Sequence, residues 1–134
     1  MGVNNAPALT RKDIWEGLHA RRSYAVTGVR ILLDFTVDGV PMGGTVRPAD
    51  GTVALAGTLH GVGPLDRVEV VKYDGAAWTE VYAHAADGAL DWSFSVDDPA
   101  AKPGTIYYLR ARQQDGNRAW SSPVWVEAAP APAP

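Results

Sequence analysis

VRILLDFTVDG, residues 29–39, decides the fold. Val29, Ile31, Leu33, Phe35 and Val37 alternate with Arg30, Leu32, Asp34 and Thr36. A period of two sustained over that length is the pattern of a half-buried strand. The stretch closes on Asp38-Gly39, a pair suited to a tight hairpin because both residues tolerate the left-handed backbone region. Asp-Gly recurs at 50–51, 74–75, 87–88 and 115–116, at intervals of 12, 24, 13 and 28 residues. Those intervals match one or two strand-plus-turn units, the rhythm of a β-sandwich.

C-terminal to this stretch the alternation continues. Val53, Leu55 and Leu59 form one run, Val68 and Val70 another, and Trp78, Glu80 and Tyr82 alternate with Thr79, Val81 and Ala83. Leu90, Trp92, Phe94 and Val96 follow. Trp78 and Trp92 are in phase with inward apolar positions and are expected in the core. TIYYLRARQQDGNRAWSSPVWVE, residues 105–127, reads as two alternating strands around Asp115-Gly116-Asn117. Pro123 cannot donate a ladder bond, so it belongs at an edge or a bulge. About seven strands result.

N-terminal to the stretch the period is helical. In TRKDIWEGLHARR, residues 10–22, Thr10 is placed to cap free backbone amides and Asp13 to return a bond, with Leu9 and Ile14 at staple positions. Ile14, Trp15 and Leu18 make a narrow apolar stripe with the basic Arg21 and Arg22 at its end. A helix of about 12 residues does not persist alone in water, so it must dock. These five residues are the candidate partner-docking positions. The expected organisation is a segment 1–28 carrying the helix, a β-sandwich over 29–127 and a Pro/Ala-rich tail over 128–134.

Composition narrows the function. Zero Cys removes disulfides, thiolate metal sites and a cysteine nucleophile together. His19, His60 and His84 are scattered, and no His-x-His exists. The serines stand outside any Gly-x-Ser-x-Gly elbow, and Met42-Gly43-Gly44 lacks the Lys and Ser or Thr of a phosphate loop and reads as a turn. Asp97-Asp98 before Pro99 reads as a turn as well. The reading is therefore a non-enzyme that needs no cofactor.

Net charge is −3, yet residues 1–30 carry five cations against two carboxylates, leaving the other 104 residues at minus six. The basic end reads as a solvated helix face; no basic-aromatic interleaving follows it, so nucleic acid is not an expected partner. No run of about 18 apolar residues exists and the first residues lack a secretory signal, so the chain reads as soluble, without a membrane partner.

Two blocks carry a family resemblance: LTRKDIWEGLHARRSYAVTGVRILLDFTVDGVPMGG, residues 9–44, and YYLRARQQDGNRAWSSPVWVE, residues 107–127. They resemble the C-terminal end of PHP-type (polymerase and histidinol phosphatase-like) metallohydrolases, in an uncharacterised subgroup where a β-sandwich tail follows the catalytic barrel. The resemblance implies that the helix is the last barrel element and that the metal ligands lie in an upstream barrel this chain lacks. No family metal position maps onto this sequence, and a hydrolase activity is not implied for it. The closing hairpin separately resembles that of fibronectin type III sandwiches. The expectation is a mainly β, immunoglobulin- or fibronectin III-like antiparallel sandwich with one N-terminal amphipathic helix. It would act as a non-catalytic accessory or interaction module, with a protein partner or a homodimer through the helix. The alternative is a free-standing carbohydrate- or protein-binding domain using exposed Trp or an open sheet edge.

Overall fold

The structure, a computed structural model, describes residues 2–4 and 6–129. Most of the 128–134 tail therefore lies outside the described residues. The elements run β1 (Gly2–Asn4), α1 (Arg11–His19), β2 (Ser23–Val26), β3 (Leu32–Val37), β4 (Val40–Pro41), β5 (Thr45–Val46), β6 (Val53–His60), β7 (Leu65–Tyr73), β8 (Trp78–Ala85), β9 (Asp91–Asp98), β10 (Ile106–Gln113), β11 (Arg118–Ser121) and β12 (Val124–Val126). The chain is mainly β. The sequence led to about seven strands; twelve are present among the described residues, because short pairings at β1, β4, β5 and β12 carry too little alternation to register.

In the first sheet β8, β7 and β10 lie side by side and antiparallel. On its other side β10 pairs with β11 through Arg110–Arg112 and with β12 through Ile106 and Tyr107. Pro123 sits in the step between β11 and β12, where no ladder bond is asked of it. β11 continues to β2 and β1, and β12 takes β5 in parallel. The second sheet runs β4-β3-β6-β9, all antiparallel. Leu33, Phe35, Val37, Leu55 and Leu59 from the second sheet share one core with Val26, Val68, Val70, Tyr107, Leu109 and Val124 from the first.

Segment 1–28 is not set apart from this core. β2 completes the first sheet beside β11, Tyr24 and Val26 are buried, and the Tyr24 hydroxyl donates to the Ile31 carbonyl at 2.8 Å. Burial pushes the Tyr24 pKa up, so the hydroxyl remains a donor. The sandwich boundary expected at residue 29 therefore falls in the link between β2 of the first sheet and β3 of the second.

The five Asp-Gly pairs are turns: each glycine has positive φ, between 76° and 98°. At Asp38-Gly39 and Asp87-Gly88 the aspartate is left-handed too; at Asp38-Gly39 this matches the twist of the paired strands β3 and β4 that it joins.

Trp78 departs from the expected core position. Val70 faces Tyr82 and Val71 faces Glu80, so Val81 is an extra residue, a bulge in β8. One inserted residue reverses the phase of the alternation. Tyr82 and His84 turn inward, where Tyr82 stacks on Phe94 at 4.3 Å and accepts the Trp92 indole N–H at 3.0 Å. Trp78, on the far side of the bulge, turns outward and is 57% exposed. Trp92 is half-buried against the core rather than inside it.

The Asp97-Asp98 pair also holds more than a turn. Asp98 accepts from the Ala100 amide, as a turn residue does, but its other oxygen meets Lys72 Nζ at 2.7 Å and the Tyr107 hydroxyl at 2.5 Å. The Lys72 and Asp98 side chains are only 7% and 10% exposed. Lys72 lies on β7 and Asp98 on β9, so the ion pair ties one sheet to the other. Burial alone would raise the Asp98 pKa. The Lys72 ammonium, the Tyr107 hydroxyl and the Ala100 amide outweigh it and hold the carboxyl below its ordinary value.

Candidate functional site

Helix α1 starts as its sequence implies. The Thr10 hydroxyl oxygen accepts from the Asp13 amide at 3.1 Å, and Thr10 returns its own proton to the Asp13 carboxylate at 2.7 Å. The staple does not form, because Leu9 is 94% exposed. At the other end the Arg21 amide donates to Leu18 and the Arg22 amide to Gly17, a pair of bonds that closes the last turn. This closure puts Arg21 in the left-handed region at φ 59°, a place glycine ordinarily fills.

Two contacts fix that turn to the sheets. The Arg21 guanidinium lies 5.3 Å from the centroid of the Trp125 ring. Gly43 backs directly onto the chain at Ala20 and Arg21, where a Cβ would come within 2.5 Å of Ala20 O, Arg21 Cβ and Arg21 O. Met42-Gly43-Gly44 is a turn, as read from sequence, with the added constraint of this close approach.

The docking candidates divide between two sides. Gly17 is buried and Ile14 half-buried, toward the protein. Trp15 and Leu18 stand outward at 61% and 57% exposure, with Trp15 stacked on His19 at 4.6 Å. Arg21 is taken up by Trp125. Arg22 is half-buried and lines a cleft of about 630 Å3 with Tyr24, Leu32, Asp34, Thr58 and His60; its Nε is buried without a protein acceptor. Trp15 and Leu18 thus face solvent as an apolar pair, Ile14 turns toward the protein, Arg21 meets Trp125 and Arg22 lines the cleft.

A second surface was not recognised from the sequence. On the outer face of the first sheet, cross-strand register sets Arg67, Arg112 and Arg118 in one row and Glu69, Arg110 and Trp120 in the next. Beyond them Val71 faces Tyr108 and Glu80, and Tyr73 faces Trp78. Arg67 and Arg110 both pair with Glu69, and both reach Glu80, Arg110 at 2.8 Å and Arg67 at 3.4 Å. Burial would raise the Glu69 pKa, but the two guanidiniums keep its carboxyl below the ordinary range. Asp66 takes Arg112 at 2.5 Å. Among the described residues no carboxylate pairs with Arg118. The signal lay in the alternation of Arg110 and Arg112 with Leu109 and Ala111, and of Arg67 and Glu69 with Val68 and Val70, which put every charge on one face.

Among the described residues no three His, Asp or Glu side chains come together to hold a metal, and no helix is long and apolar enough to cross a membrane. His60 pairs with Asp91 at 2.7 Å on the outer face of the second sheet, away from His19 and from His84, which packs on Tyr82.

The chain is similar to an uncharacterised protein of Chlamydia pneumoniae, 32% identical over 133 residues. Uncharacterised proteins of Chlamydia trachomatis and Chlamydia muridarum are each 28% identical, over 133 and 130 residues. Each match takes in 88% of this chain and 21% of the relative, so the chain spans about a fifth of the length of the curated relatives it matches. No protein-family profile and no solved structure matches it.

Proposed function

We propose that this chain is a non-catalytic interaction module that binds another polypeptide through the outer face of α1. The observation that carries the reading is Trp15 and Leu18 exposed on a nine-residue helix. Such a helix is too short to persist alone, and fully burying each of these side chains would return roughly 1.5–3 kcal/mol. A match to one fifth of longer proteins supports a modular role. In the fuller form of the proposal the module has the immunoglobulin or fibronectin III arrangement and accompanies a PHP-type hydrolase barrel, against which the helix would pack. The buried Tyr107 near the start of β10, bonded back to residue 98, supports the former by its likeness to the tyrosine corner of such sandwiches.

In isolation the partner within reach is a second copy. Light scattering on the intact chain is expected to show a dimer, and the Trp15→Ala/Leu18→Ala variant a monomer that still unfolds cooperatively, at a melting temperature lowered by the lost association. An intact chain that stays monomeric while its helix amides exchange freely would overturn the docking role.

A further inference from the structure

The outer face of β8-β7-β10-β11 carries two clefts that meet at Arg110. One, of about 660 Å3, is lined by Val71, Trp78, Thr79, Glu80, Tyr108 and Arg110. The other, of about 220 Å3, is lined chiefly by Arg67, Glu69, Arg110, Arg112, Arg118 and Trp120. From this face we infer that the module binds an acidic saccharide, with a sugar ring on Trp78 and the anionic group at Arg112 and Arg118. The inference is independent of the helix reading, since it uses a different surface.

The ring site follows from what supports Trp78. Tyr73 leans on it at 4.9 Å with a 36° tilt, and Tyr108 meets it edge-on at 5.9 Å and 69°. Two neighbours hold the indole while it remains more than half exposed. An apolar, electron-rich surface suits the C–H face of a pyranose, and Glu80 and Arg110 line the same cleft to meet ring hydroxyls.

The anion site follows from the cross-strand pairs. Arg112 stands directly opposite both Arg67 and Arg118, an arrangement of like charges that a sheet disfavours unless counter-charges are present. Arg67 has Glu69 and Glu80, and Arg112 has Asp66, which leaves Arg118 as the surplus cation beside the Trp120 wall. A carboxylate or sulfate at Arg118, with the remaining Arg112 N–H alongside, supplies the missing counter-charge. Tyr108 and Arg112 are four residues apart on β10, about 13 Å, the reach of a short oligosaccharide.

The same face argues against nucleic acid. Glu69, Glu80 and Asp66 lie between the arginines, where a continuous phosphodiester backbone would meet them as like charges. A polyol with a single anionic group instead offers hydroxyl protons that those carboxylates accept.

The test is a fluorescence and amide-shift titration of the intact chain. The probes are a neutral-sugar oligosaccharide carrying one sulfate ester, its desulfated and uncharged form, inorganic sulfate and a single-stranded oligodeoxynucleotide. Saturable binding of the sulfated sugar is expected, with shifts confined to β8, β7, β10 and β11. Arg118→Gln should weaken the sulfated form at least about tenfold, the worth of one charge-assisted hydrogen bond, and leave the desulfated form unchanged. Trp78→Ala should weaken both. Binding of inorganic sulfate as tight as the sugar, tighter binding of the oligonucleotide, or no saturable shift on these strands would each overturn the inference. Both variants change exposed side chains, and a retained melting temperature confirms that they fold.

Discussion

Lys72 and Asp98 share a proton-rich contact with Tyr107 in a place where neither charge reaches much water. Removing one partner strands the other, so Asp98→Asn is expected to cost about 3–5 kcal/mol in denaturant melts, whereas exchanging both residues for well-packed apolar ones should cost less, about the 1–3 kcal/mol of the stranded Tyr107 hydroxyl. The pH dependence follows from the depressed Asp98 pKa. Its stabilisation is complete above the ordinary carboxylate value of about 3.9 and is lost as pH falls through the lower folded value, so acid melts of Asp98→Asn should be flatter below about pH 4. Tyr107, raised by burial and by its bond to Asp98, stays a donor throughout. Arg21 sets up a sharper comparison. Arg21→Ala loses the Trp125 contact and keeps the left-handed strain, for a loss of roughly 0.5–1 kcal/mol. Arg21→Gly loses the same contact but relieves about 1 kcal/mol of strain, so its melting temperature should stay near that of the parent chain.

At the scale of elements, the strands differ from the helix in how firmly they are held. β7 is paired on both sides, by β8 and β10, over almost its whole length, while α1 is anchored chiefly by its last turn. Amides of α1 should therefore exchange through local opening well before those of β7 and β10, a difference hydrogen exchange measures directly. Filling the close approach at Gly43 should widen that gap. Gly43→Ala places a methyl against backbone and demands φ near +89°, so the helix amides should lose protection while those of β7 keep theirs. The long strands were legible in the sequence because strict alternation in β3 and β6, bounded by Asp-Gly, leaves no other reading. The bulge was not. Val81 has nothing in its side chain to mark it as the supernumerary residue, and the error it causes reaches Trp78, the residue on which the candidate sugar platform rests. The charged face was missed for a related reason: Arg67 is far in sequence from Arg110 and Arg118, and only the pairing of β7 with β10 makes them neighbours. The helix start could be read because Thr10 and Asp13, which cap it, lie within one turn.

For the molecule as a whole, one core is shared by both sheets, so heat or urea should unfold it in a single transition seen alike by Trp fluorescence and far-ultraviolet dichroism. A chain beginning at Gly28 loses Tyr24 and Val26 from that core, together with the strand paired to β11. It should show no cooperative transition, whatever becomes of the helix. The β2–β11 pairing also has a consequence in time. Val26 leaves the ribosome roughly ninety residues before Ala119, the residue it will face. At about 5–20 residues per second, that is a wait of roughly 5–18 s during which β2 has only the three-residue β1 beside it and no link to the rest of the sheet. A nascent chain stalled just before Arg118 should therefore be cut by protease near Tyr24 and Val26, and one stalled beyond the point where Val126 has cleared the exit tunnel should be resistant there. The first strands of this chain are made early and folded last.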